Sequence, residues 1–200
     1  ARHWLPRRPQ AAVPAPAFAM PADAVATLPD PVAFRTTLLE LIAAATRRVV
    51  IVALYLQDDD AGREIMAALY AVKARRPDLS IALYLDWHRA RRGLIGRQRS
   101  EGNAAMYRSC RQRHGPGIEV YGVPVQNREL FGVLHVKGFV FDDTVLYSGA
   151  SLNEVYLACH QAYRLDRYHL LRHAGLADAL AGFARQYLRT AGAACRLDLP

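Results

Sequence analysis

Two nearly unbroken apolar runs dominate the first half of the chain. Val49-Val50-Ile51-Val52-Ala53-Leu54-Tyr55-Leu56 and Ser80-Ile81-Ala82-Leu83-Tyr84-Leu85 have strand length and almost no polar alternation. That pattern suits strands covered on both faces, in the middle of an α/β sheet. Ahead of the first run, Asp30 stands as an N-cap with Pro31 at the first helical position, and Phe34, Leu38, Leu41, Ile42 and Ala45 recur at helical spacing. Between the runs, residues 62–75 repeat that period with Ile65, Leu69 and Val72 inward, and Pro77 stops the chain soon after. Strand, helix, strand at these lengths predicts a crossover unit of a parallel sheet. Farther along, residues 100–113 read as a rather polar helix, 118–123 as a third strand and 127–131 as a loop. Residues 134–142 alternate with period two: Leu134, Val136 and Gly138 point one way, and His135, Lys137 and Phe139 the other. A tight Asp142-Asp143 turn joins this strand to residues 144–148. Residues 164–171 give another strand, and 174–188 a closing helix with Leu176, Leu180, Phe183 and Tyr187 inward.

The pattern fails only at the start. Residues 1–31 hold seven of the eleven prolines, together with many alanines. Residues 1–30 therefore read as an irregular lead-in, and 31–200 as one α/β domain. The net charge of +8 favours an anionic partner: nucleic acid, a phosphorylated ligand or an acidic lipid surface. Cys110, Cys159 and Cys195 stand far apart without metal-ligand spacing, and an odd count points to a reducing, cytoplasmic compartment. No apolar run approaches the length of a bilayer span, so work on lipid would be done from the surface. The chain starts at Ala1 rather than Met and reads as a fragment.

The chemistry concentrates in residues 134–153. A titratable imidazole, His135, and an ammonium, Lys137, share one face of a strand that Asp142 closes. Such polar groups on an apolar strand need partners or a purpose. A histidine serves as nucleophile or proton carrier near neutral pH, and a lysine beside it disperses charge on a phosphoryl group. Residues 88–99 carry five arginines behind His88, at the end of the second apolar strand, where ligands of α/β sheets tend to sit. His88, Arg89, Arg91 and Arg92 are candidate anion-binding groups there. Asp58-Asp59-Asp60 is read as a solvated loop. Three adjacent carboxylates do not converge on one point, and no histidine or other acid stands at a ligand spacing nearby.

His135-x-Lys137-x-x-x-x-Asp142, followed by a small-residue turn with Ser151-x-Asn153, resembles the signature of the phospholipase D superfamily. In that pattern a Gly usually precedes the Ser. Here Ala150 does, with Gly149 one place earlier, so the turn is read as a residue longer. Residues 51–56, 85–90 (Leu85-Asp86-Trp87-His88-Arg89-Ala90), 121–124 and 146–157 extend the likeness. They are similar to the phospholipase D type of bacterial phosphatidylserine synthase, the CDP-diacylglycerol–serine O-phosphatidyltransferases. This resemblance implies a mixed sheet flanked by helices, one of two such halves. The second His-Lys-Asp half would lie in a longer chain or come from a second subunit. It implies CDP-diacylglycerol and L-serine as substrates, transfer through a phosphatidyl-histidine, no metal or cofactor, and peripheral attachment to the acidic surface of the inner membrane. His135, Lys137, Asp142 and Asp166 become candidate catalytic residues, with Asp166 orienting the imidazole, and Ser151 and Asn153 candidate substrate ligands. Three other readings stay open: a cardiolipin-type synthase, a dimeric nuclease, or a non-catalytic half-domain that binds acidic membrane.

Overall fold

The computed structural model describes residues 16–92, 102–125, 134–160, 163–191 and 193–200. The loop expected at 127–131, residues 93–99 of the basic segment 88–99 and the first half of the lead-in lie outside the described residues. Eight strands form one sheet: β1 (Val25–Leu28), β2 (Arg48–Ala53), β3 (Ser80–Asp86), β4 (Ile118–Val123), β5 (Gly138–Phe141), β6 (Thr144–Ser148), β7 (Tyr168–Arg172) and β8 (Cys195–Arg196). Their order across the sheet is β1-β7-β6-β5-β2-β3-β4-β8. β2, β3 and β4 are parallel neighbours, and every other pair is antiparallel. The two apolar runs thus occupy the centre of the sheet, where both faces are covered, as their lack of alternation requires.

Helix α1 (Pro31–Ala44) leads from β1 into β2, α2 (Asp60–Arg75) connects β2 to β3, and α3 (Trp87–Arg92) and α4 (Asn103–His114) lie between β3 and β4. Asp30 caps α1 by accepting from Ala33 N at 2.7 Å, with Pro31 in the first turn. One large core joins Phe34, Leu38 and Ile42 of α1 and Ile65, Leu69 and Val72 of α2 to Val49, Ile51, Leu83, Phe139 and Leu146 of the sheet. A smaller cluster on Val52, Tyr84, Tyr121 and Leu134 is closed by Ala184 and Leu188. These come from a π-helical stretch (Ala184–Ala191) that continues α5 (Ala174–Phe183).

Several expectations change. The lead-in is not irregular to residue 30, because β1 pairs with β7 along the sheet edge. β8 was not foreseen. The strand expected from residue 134 begins at Gly138, opposite Val52, and β7 covers 168–172 rather than 164–171. Strict alternation fails with it: Leu134 is buried while Val136 is 41% exposed. The closing helix follows its expected stripe only in part: Leu176 and Leu180 pack, half-buried, against Val140, Val145 and Ala177. Ala177, Ala181, Ala184 and Leu188 face inward, while Phe183 and Tyr187 are exposed with their rings stacked at 5.4 Å. The small inward residues let α5 lie close to the strands. Contact is tight enough that a Cβ at Gly138 would stand 2.9 Å from Leu180 Cδ2.

Candidate active site

The carboxyl ends of β2, β3 and β4 share one rim of the sheet. β5 pairs antiparallel with β2, so residues 134–137 arrive at that rim. β6 returns to it and ends at Ser148, and β7 leaves from it at Tyr168, opposite Ser148. Just past β6, Leu152 makes a parallel bridge to Leu56, and Gln57 N donates to Leu152 O at 3.0 Å. Topology alone therefore gathers His135, Lys137, Ser151, Asn153, Asp166 and the α3 residues at one end of the sheet. This is where an open α/β sheet offers a crevice.

His135 is exposed and Lys137 half-buried. Their placement depends on a group that sequence reasoning did not single out. Asp86 is fully buried at the end of β3, and its carboxylate accepts from Leu134 N at 2.9 Å and from Arg89 N at 2.8 Å. One side chain thus fixes both the backbone entering His135 and the first turn of α3. The available signal was a charge closing an otherwise apolar strand, since a buried carboxylate must find donors. His88 is exposed, Arg89 is half-buried, and the Arg91 guanidinium lies 4.6 Å above the Trp87 ring. The Arg92 side chain lies outside the described residues.

Ser151 and Asn153 are 6% and 9% exposed. The Asn153 Nδ2 donates to Tyr55 Oη at 3.1 Å and its Oδ1 accepts from Tyr156 N at 3.0 Å. Its amide thus braces the turn against the end of β2, and Tyr55 is a second residue that sequence reasoning passed over. Asp166 Oδ1 accepts from Gly149 N at 3.1 Å and Arg167 N at 2.7 Å. Among the described residues no hydrogen bond joins it to His135. Its observed work is to hold the turn that carries Ser151 and Asn153.

Asp142 departs from its expected place among the catalytic groups. It sits at the opposite end of β5, in the two-residue turn to β6, with φ of 51°. Its carboxylate accepts from Thr46 N (2.8 Å), Thr46 Oγ1 (2.9 Å), Arg47 N (2.8 Å) and Arg48 N (3.0 Å). Burial alone would raise its pKa, but the donors of Arg48, Thr46 and Arg47 outweigh it and hold the group below the usual aspartate value. It ties the hairpin to the start of β2 and does not face His135.

The acidic loop is also not simply solvated. Asp59 caps α2 through Gly62 N (2.9 Å) and accepts from Glu154 N (3.0 Å). Burial pushes its pKa up, and the nearby Glu154 and Asp60 charges add to the shift.

No family model matches the chain. It is 48% identical over 184 residues to the CDP-diacylglycerol–serine O-phosphatidyltransferase PssA of Escherichia coli (strain K12), covering 92% of this chain and 41% of that protein. The crystal structure of phosphatidylserine synthase from Haemophilus influenzae Rd KW20 superposes with a TM-score of 0.85 at 45% identity, over 91% of this chain and 41% of the other. Nuc, a phospholipase D family member from Salmonella typhimurium, superposes with a TM-score of 0.58 at 18% identity, over 86% of this chain and 95% of that one, a likeness of fold alone. The chain is thus related to the bacterial phosphatidylserine synthases, spans about two fifths of their length, and carries the phospholipase D-like α/β fold.

Proposed function

Proceeding from that kinship, we propose that the chain is one half of an enzyme that transfers a phosphatidyl group from CDP-diacylglycerol to L-serine. The observation that carries this reading is the convergence of His135, Lys137 and the Gly149–Asn153 turn on one rim of the sheet in a relative of the phosphatidylserine synthases. His135 attacks the phosphorus next to the diacylglycerol, the P–O bond to CMP breaks, and a phosphatidyl-histidine forms. The serine hydroxyl then attacks the same phosphorus, breaks the P–N bond and frees His135, giving phosphatidylserine. Lys137 disperses the phosphoryl charge in both steps, and Ser151 is a further substrate ligand at the same rim. His88, Arg89, Arg91 and Arg92 serve the pyrophosphate or neighbouring lipid headgroups. Asp166 and Asn153 position the turn. A second His-Lys-Asp unit supplies the acid that protonates departing CMP and then takes the serine proton.

The enzyme works from the surface of an acidic membrane. No helix among the described residues is long and apolar enough to cross one. A charge of +8 and the exposed Phe183 and Tyr187, with the exposed Arg185 between them, suit peripheral contact.

The test is release of labelled CMP from CDP-diacylglycerol by the full-length protein. Formation of the phosphatidyl-histidine frees at most one CMP per site without serine, continued turnover is expected only with serine present, and His135→Ala is expected to abolish both without loss of folding. Folded His135→Ala retaining about a tenth of the activity would defeat the assignment, given that covalent catalysis has no substitute here. The 200-residue chain alone is expected to be slower by at least about two to four orders of magnitude, the value of one general acid. Full turnover by a dimer of this chain would favour a self-completing, nuclease-like architecture instead.

A further inference from the structure

The fold brings Asp60 to two side chains far from it in the sequence, Glu154 and His160, and all three are of metal-ligating type. Asp60 opens α2, Glu154 directly follows Asn153, and His160 lies six residues farther on. One ligand atom from each falls within 4.8 Å of the others. His160 Nε2 stands 3.6 Å from Glu154 Oε1 and 3.8 Å from Asp60 Oδ2. Around a tetrahedral zinc ion, with ligands at about 2.0–2.2 Å, neighbouring ligand atoms are roughly 3.4 Å apart. The two distances from His160 therefore need to close by only a few tenths of an ångström around an ion, and the Asp60 and Glu154 oxygens, which lie within 4.8 Å of each other, by at most about 1.4 Å.

We propose that Asp60, Glu154 and His160 bind one divalent cation of the zinc class. The donor set names the class: an imidazole with two carboxylates suits zinc and other first-row transition metals, whereas magnesium and calcium prefer oxygen alone. The imidazole, aimed at both carboxylates, sets this place apart from a mere patch of acids. The surrounding charge agrees. On a chain of net charge +8, Asp58, Asp59, Asp60 and Glu154 gather here. The nearby guanidinium of Arg63 is engaged with Asp58 at 2.9 Å and reaches Asp60 only at 3.9 Å. The Arg35 guanidinium is taken by Glu64 at 2.7 Å. His160 and Asp60 are well exposed, so the fourth position is open to water.

The site is structural. Its ion joins the residue after Asn153 to the first turn of α2, and so fastens the turn that carries Ser151 and Asn153. It stands independently of the transferase reading, because its ligands take no part in that chemistry.

The experiment uses tag-free, full-length protein stripped with a chelator. Zn²⁺ binding is followed by calorimetry, Co²⁺ binding by visible absorption, and Mg²⁺ serves as the control. One equivalent of Zn²⁺ is expected to bind and raise the unfolding temperature, and Co²⁺ to give a d–d band. Mg²⁺ is expected to do neither. His160→Ala is expected to weaken Zn²⁺ by more than the roughly 10–100-fold that even an outer-shell partner of a metal site is worth. Because His160 is exposed, the metal-free variant should unfold where the metal-free parent does, and Asp60→Asn with Glu154→Gln provides a second disruption of the site. Failure of Zn²⁺ to bind saturably, or equal affinity in the parent and both variants, would overturn the site.

Discussion

Asp142→Ala is expected to lower the unfolding temperature of the protein while leaving the chemistry of its folded fraction intact. The carboxylate accepts four hydrogen bonds, three from consecutive backbone N–H groups at the entry to β2 and one from the Thr46 hydroxyl. Hydrogen bonds to a charged group contribute about 1.5–3 kcal/mol where water is excluded, but the Thr46 and Arg47 donors are exposed and rehydrate, so the set is worth about 2–3 kcal/mol in all. Asp142 also holds φ at 51°, a conformation that costs most L residues about 1–2 kcal/mol and that Asp and Asn tolerate better. Asp142→Ala should therefore cost about 3–4 kcal/mol and Asp142→Asn about half that, or roughly 10 °C and 5 °C at about 2–4 °C per kcal/mol in a domain of this size. Acid supplies a second arm. The folded pKa lies below the unfolded one, so the stabilisation is present above the ordinary carboxylate range and fades as pH falls through the depressed folded value. The gap between parent and Asp142→Asn should narrow accordingly below about pH 4. Thermal unfolding followed by circular dichroism at several pH values, with turnover per folded molecule, checks both arms. An Asp142→Asn protein that melts with the parent yet loses turnover would refute the reasoning and return Asp142 to the catalytic set.

Asp86→Asn is expected to cost about 1–3 kcal/mol and to depress turnover, because an amide turns N–H against one of the two backbone N–H groups the carboxylate now accepts; a protein with parental melting and turnover would count against the clamp. Tyr55→Phe removes the acceptor of the Asn153 amide and should lower turnover more than stability, with a melting shift of only a few degrees for about 1 kcal/mol; steady-state kinetics beside a melting curve decides. Gly62→Ala places a Cβ 1.7 Å from Gln57 O, backbone that cannot yield without moving the bridge to Leu152, and should cost at least about 1–3 kcal/mol by denaturant unfolding.

The centre of the sheet was legible because strands covered on both faces leave a local mark. Val49 to Leu56 and Ile81 to Leu85 need no knowledge of their neighbours to be recognised. The rim was legible through the spacing of His135, Lys137, Ser151 and Asn153. What escaped depends on partners distant in sequence. β1 is four residues of ordinary composition, and only β7 makes it a strand. Leu176, Leu180, Phe183 and Tyr187 form a convincing apolar stripe, yet only Leu176 and Leu180 pack on the core, Leu180 against Gly138, while Ala177, Ala181 and Ala184 take the most buried positions and Phe183 and Tyr187 stay exposed. Asp86 and Asp142 look alike as carboxylates ending strands. Only the three-dimensional neighbourhood reveals that one fixes the backbone entering His135 and the other holds the opposite end of the hairpin. Glu154 and His160 likewise gave no sign of meeting Asp60.

The insertion of β5 beside β2 has a consequence for synthesis. β2, β3 and β4, with α2 and α4 between them, are contiguous in the chain and pair as soon as they emerge. β2 then waits with its second edge bare, because the strand that covers it, Gly138–Phe141, is translated later, and β1 waits longer still for β7. In a nascent chain this is an open apolar strand edge, the kind of template on which other chains pair. Ribosome-bound chains stopped after β4 should therefore recruit chaperones and aggregate on release, and those extended past β7, which covers the outer edge of β6, should do so less, so the hairpin that carries His135 and Lys137 to the rim also seals the centre of the sheet.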